Sequence, residues 1–105
     1  MIIKDIKDIH TNETRTDGRY PDRIGSRVYF VYLPVVGGVM ILGYGKDNMS
    51  NEKTGYLKTS AVSEIVEDEN NIIIYTRNSI YHLEKELLPS WIIISPTYTL
   101  DTKIS

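Results

Sequence analysis

A chain of 105 residues with a formal net charge of −2 and no cysteine forms one domain, 1–105, and excludes disulfides, thiolate metal sites and a cysteine nucleophile. Its 41% hydrophobic and 25% charged residues are ordinary for a globular protein with one core. The charge balance disfavours nucleic acid as a partner, and the charges inside MIIKDIKDIH exclude a signal peptide.

Residues 2–9, IIKDIKDI, place isoleucines at 2, 3, 6 and 9. That spacing predicts a short N-terminal helix, with a first strand carrying a bulge as the alternative, because isoleucine is β-branched. Residues 10–27, HTNETRTDGRYPDRIGSR, form a long polar loop, with Asp17-Gly18, Tyr20-Pro21 and Gly25 as turn signals. Long loops in small domains are often functional. Arg27 to Leu33 and Val39 to Tyr44 predict a hairpin about the turn Pro34 to Gly38. Both strands are apolar on both faces, which predicts burial at the centre of the fold or against a partner chain. The stretch from Val28 to Tyr44 falls short of the roughly 20 residues that a membrane helix needs, so no membrane is expected.

After the polar loop 46–55, strands are predicted from Tyr56 to Val66, Ile72 to Thr76 and Ile80 to Glu84, joined by the acidic turn Glu67 to Asn71 and by Arg77-Asn78-Ser79. A helical turn from Glu84 to Leu88, a strand from Trp91 to Ser95 and a frayed tail at 97–105 follow. The whole predicts an all-β fold, a small SH3-like or Sm-like barrel of five to six strands with the short N-terminal helix.

No catalytic set is visible. A nucleophilic triad needs a histidine placed by a carboxylate, and His10 and His82 read as solvent-facing or satisfied residues. No metal-ligand spacing occurs, and Glu67-Asp68-Glu69 reads as a solvated turn. Gly37-Gly38 reads as a hairpin turn, and Gly43 and Gly45 as a bulge or a place of close approach. Neither a cofactor nor a catalytic or metal residue is expected, and an enzyme is not.

The arginines are the asymmetry. Arg15, Arg19, Arg23 and Arg27 fall in one loop at intervals of four, and Arg77 lies in the last hairpin turn. Arginine is preferred where phosphate or carboxylate is held by a planar fork. The candidate ligand-binding residues are therefore Arg19, Tyr20, Arg23, Arg27, Arg77 and Asn78, with Tyr20 or Tyr75 stacking on a base. The competing reading pairs the loop arginines with Glu13, Asp17 and Asp22. For Asn78 and Ser79 turn formation is reason enough; Arg77 is left over. Among eight tyrosines, Tyr29 and Tyr32 share a strand with Phe30, which suits packing or an interface, and the segment from Trp91 to Ile94 is a candidate dimer edge.

GRYPDRIGSRV (Gly18 to Val28), LKTSAVSEI (Leu57 to Ile65) and IIIYTRNSIYHLE (Ile72 to Glu84) resemble stretches of small β-barrel proteins of phages and Firmicutes-type bacteria. Among these, the chain resembles the Thoeris anti-defence nucleotide sponges. The resemblance implies sequestration, without cleavage, of a cyclic ADP-ribose-type signal; it assigns no binding residue here. The expected function is a non-catalytic, cytoplasmic binding module of a bacterial host cell, homo-oligomeric, holding a small anionic ligand, a nucleotide. The alternative is a phage or mobile-element protein that inhibits a host enzyme by direct contact.

Overall fold

The computed structural model describes residues 1–45 and 55–86. The expectations for Leu87 and Leu88, for the Trp91 to Ser95 strand and dimer edge, for the tail 97–105 and for most of the 46–55 loop lie outside the described residues. Six strands are formed: β1 (Ile2–Asp8), β2 (Val28–Phe30), β3 (Val39–Tyr44), β4 (Tyr56–Glu67), β5 (Asn71–Thr76) and β6 (Ser79–Glu84), with one helical turn, α1 (Tyr20–Arg23). All neighbours are antiparallel, in the order β1-β6-β5-β4-β3-β2. No helix among the described residues is long and apolar enough to cross a membrane.

The sheet curls until its two edge strands touch. Met1 and Val28 exchange backbone hydrogen bonds at 3.0 and 2.8 Å, Ile2 bridges to Arg27, and Ile3 donates to the carbonyl of Ser26. This makes the small all-β barrel that the strand pattern predicts. Its interior is read from the pleat, since side chains two apart share a face. Ile6, Tyr81, Ile74 and Ile65 form one inward row across β1, β6, β5 and β4. Ile3, Leu83 and Ile72 form a second, and Phe30, Leu42 and Leu57 a third. Ile3, Ile6, Leu42, Ile74 and Leu83 are wholly buried, each side chain contributing about 1.5–3 kcal/mol of transfer free energy.

Residues 2–8 are a bulged strand, the alternative reading of the spacing, and not the helix. The pairing shifts between Ile3 and Asp5, leaving Lys4 as an extra residue. That bulge brings Ile3 and Ile6, three apart, to the same buried face. The spacing that imitates a helix is the imprint of a bulged strand.

The 10–27 segment is ordered along the outer edge of β1. Thr14 bridges to Lys7, the Arg15 amide donates to the carbonyl of Ile6 at 2.8 Å, and the Gly25 amide donates to that of Ile3 at 2.7 Å. Between these tethers the chain bulges out as α1, with proline in its first turn, and Tyr20 and Ile24 turn in against the core. Gly25, at φ 92, makes the return that ends α1. In the β2–β3 hairpin the second strand has the expected bounds, Val39–Tyr44, but the first is shorter and the connection longer, since β2 ends at Phe30 and residues 31–38 are not strand. Lys85 and Glu86 are not helical.

Candidate functional site

Arg15 organises one end of the barrel. Its Nε and Nη2 hold the two carboxylate oxygens of Asp17 at 3.1 and 2.9 Å. Its Nη1 donates to the Asn78 carbonyl at 3.0 Å and to the Ser79 hydroxyl at 2.9 Å. Its guanidinium carbon lies 4.2 Å from the centroid of the Tyr20 ring. The Arg-rich loop and the β5–β6 turn therefore meet, through an arginine whose role is to join them. The Asp17 fork raises the Arg15 pKa and lowers that of Asp17.

Tyr20 is met a second time by Arg23, whose guanidinium carbon lies 5.3 Å from the same centroid. Tyr81, on β6, lies within the electrostatic reach of this group. It projects inward from the row between Ile6 and Ile74, is 2% exposed, and its hydroxyl makes no hydrogen bond to any described residue. A buried hydroxyl without a partner is costly and uncommon. Burial, and then the neighbouring Tyr20, push its pKa up to about 12, against the pull of Arg23 and Arg15; Tyr44 acts in the same upward direction. The phenol is thus a permanent hydrogen-bond donor at neutral pH. Tyr44 and Tyr20 are half-buried against the core, and neither they nor Arg23 make a side-chain hydrogen bond to a described residue. Three phenols, from β6, β3 and α1, and one guanidinium thus lack side-chain hydrogen-bond partners among the described residues, and Tyr81 feels the charge of each of the others; such donors suit an anion.

The structure divides the predicted residues. Tyr20 and Arg23 belong to this cluster, and Asn78 is joined to it through Arg15. Arg19 precedes α1 and is exposed; Arg77 is exposed in the β5–β6 turn. Arg27 stands at the other end of β1: it bridges to Ile2, whereas Thr14, beside Arg15, bridges to Lys7, about 16 Å farther along the strand. There Arg27 forks onto Glu86 at 2.8 and 2.9 Å, and Glu86 also takes the N-terminal amine at 3.1 Å. Arg27, and then the amine, lower the Glu86 pKa. Of the pairings with Glu13, Asp17 and Asp22, the described ion pairs include that of Arg15 with Asp17.

Tyr75 lies on the outer face of β5, the face alternate to buried Ile74 and Thr76, so it does not reach the cluster. Tyr20 already meets two guanidinium groups, which leaves its hydroxyl better placed than its ring face to serve a ligand. Asn78 does not take the left-handed conformation that asparagine tolerates; Asn12 does, at φ 63. The β5–β6 turn is held instead by Thr76, whose hydroxyl donates to the Ser79 carbonyl at 2.9 Å and accepts from its amide at 3.0 Å.

His82 contacts the Asn71 amide oxygen at 2.7 Å on the outer face, a satisfied histidine, and His10 is exposed. Asp68 accepts the amides of Asn70 and Asn71 at 2.8 and 2.7 Å, which makes the acidic turn an Asx turn. Near Arg27, an open depression of about 630 Å³ is lined by Ile2, Asn70, Asn71, Glu84, Lys85 and Glu86. Its two glutamates disfavour an anion there.

Searched against protein-family models, curated proteins and solved structures, the chain gives no significant match. Sequence reading reached Tyr20 and Arg23 but not Tyr44 or Tyr81. Tyr81 alternates with His82 in a strand, and a tyrosine on the apolar face reads as core. The available signal was its phenol, a polar atom that an inward position leaves to be satisfied.

Proposed function

We propose that this protein is a non-catalytic binding module for a small anionic ligand of the nucleotide class. The ligand is held by Arg23 and the hydroxyls of Tyr81, Tyr44 and Tyr20, with Arg19 and Arg77 as exposed cations of the flanking loop and turn and Arg15 as the strut that orders the site. The observation that carries this reading is the buried hydroxyl of Tyr81, which has no hydrogen-bond partner among the described residues and lies within the electrostatic reach of Arg23 and Arg15. Phosphate oxygens satisfy such donors, and a permanently protonated phenol suits binding without proton transfer. On this reading Arg27 and Asn78, expected among the binding residues, act in the frame of the barrel. The reading agrees with the sequestration implied by the sponge resemblance, and with action on a signal in the cytoplasm of a bacterial cell.

The test is native mass spectrometry of the protein as purified from bacteria, before and after denaturing release, followed by titration of the emptied protein with cyclic ADP-ribose and with inorganic phosphate. The expected result is an added nucleotide mass released intact, and binding that Arg23→Ala and Tyr81→Phe each weaken at least about tenfold, the scale of one charge-assisted hydrogen bond. A clean protein mass together with no binding of either probe would overturn it.

A further inference from the structure

A second surface is independent of that site. From Val28 to Gly45 the chain carries no charged residue, yet much of it lies outside. Tyr29 is 50% exposed, Tyr32 51%, Leu33 80%, Val35 60% and Val36 64%. The register explains how the patch is built. Tyr29 of β2 pairs with Gly43 of β3, which pairs with Tyr56 of β4. Tyr29 and Tyr56 therefore share the outer face, opposite Val28 and Leu57, which are buried. The Tyr29 ring lies across Gly43, where a Cβ would come within 2.4 Å of it. Beyond Tyr29 the chain continues into the 31–36 arm, whose exposed side chains extend the patch.

We propose that this aromatic face and arm are the contact through which two copies of the chain associate. Three arguments favour a second copy. Five large apolar or aromatic residues in eight positions of sequence, Tyr29, Tyr32, Leu33, Val35 and Val36, are at least half exposed, and an exposed apolar cluster of this kind marks an interaction surface. A neutral patch can face itself across a twofold axis without repulsion, whereas it offers nothing to a strongly charged partner. The arm also lacks the lysines and arginines that accompany apolar segments lying on lipid surfaces. Its tyrosines are residues that anchor interfaces.

The experiment is sedimentation equilibrium of the full chain between about 1 and 100 μM, with circular dichroism as the check on folding. Wild type is expected at twice 12.0 kDa. Leu33→Asp and Val36→Asp, both at exposed positions, are each expected to weaken association at least about 30-fold with an unchanged spectrum. Wild type remaining monomeric at the highest concentration would overturn the proposal, as would full dimerisation of both folded variants. Because Leu33 and Val36 are outside the phenol cluster, ligand titration of the same variants separates the two surfaces: binding is expected to persist in the monomers.

Discussion

The guanidinium of Arg15 holds the backbone carbonyl of Asn78 at 3.0 Å, across 63 residues of chain. With the bond from the same nitrogen to the Ser79 hydroxyl, this contact ties the Arg-rich loop to the β5–β6 turn, and the same side chain is forked by Asp17 and stacked on Tyr20. Arg15→Ala should destabilise the fold by about 1–3 kcal/mol, since it strips a charged donor from the partly buried Ser79 hydroxyl as well as from the Asn78 carbonyl. Arg15→Lys should recover little, because an ammonium cannot span Asp17 and the turn together. Urea unfolding of the three proteins checks this; wild-type stability in Arg15→Lys would show that charge alone suffices.

Tyr81→Phe separates stability from binding. The change removes one oxygen that has no partner among the described residues and keeps the ring in its row between Ile6 and Ile74. The emptied protein should therefore be as stable as wild type or more stable, by up to about 1–2 kcal/mol, while the ligand-bound form loses affinity. Thermal melts with and without nucleotide check both halves. A less stable empty variant would mean that the hydroxyl is already satisfied in the fold.

The same residue sets an alkaline limit. Its pKa in the folded chain is pushed up to about 12 from an ordinary 10.0, so the unfolded chain gives up the proton first. The stabilising difference is complete below pH 10 and is lost as pH rises through 12, on the order of 2 kcal/mol in all. Denaturant melts at pH 9, 10, 11 and 12 should fall faster for wild type than for Tyr81→Phe. Parallel curves would show that Tyr81 titrates normally. At the acid end the signs reverse. Asp8, Asp17 and Asp68 have lowered pKa values, the first and last chiefly through backbone amides and Asp17 through Arg15, so their support is present above the ordinary carboxylate range and is lost as pH falls through the lowered values.

The meander was legible because its signals are local. In β5 and β6 the alternation of buried and exposed residues follows the apolar pattern directly, and in the two turns the side chains of Asp68 and Thr76 bond to backbone two or three residues on. The first strand was left between two readings, and the bulged strand is the one formed: a period-three spacing has two sources, a helix or a bulge, and only the pairing with β6 decides between them. The site was half legible for a related reason. A run of arginines announces charge but not which cation is consumed by the frame, and Arg15 and Arg27 are claimed by Asp17 and Glu86, the latter 59 residues away. Tyr81 was hidden because an inward phenol and an inward phenylalanine give the same pattern.

Gly43 supplies the last prediction. A methyl group there would meet the far end of the Tyr29 ring at 2.4–2.8 Å, with no backbone among the three nearest atoms. Tyr29 is half-exposed and can swing into solvent, so the clash is relieved by moving one ring. The strand itself gains from replacing glycine, by roughly 0.5–1 kcal/mol. Gly43→Ala should therefore fold with a stability within about 1 kcal/mol of wild type but present a disordered aromatic face. If that face joins two copies, Gly43→Ala should dissociate more readily than wild type, and Tyr29→Ala should abolish the difference between glycine and alanine at 43. A double-mutant cycle by sedimentation measures this coupling. Additive effects of the two changes would mean that the Tyr29 ring, as it lies over Gly43, takes no part in association.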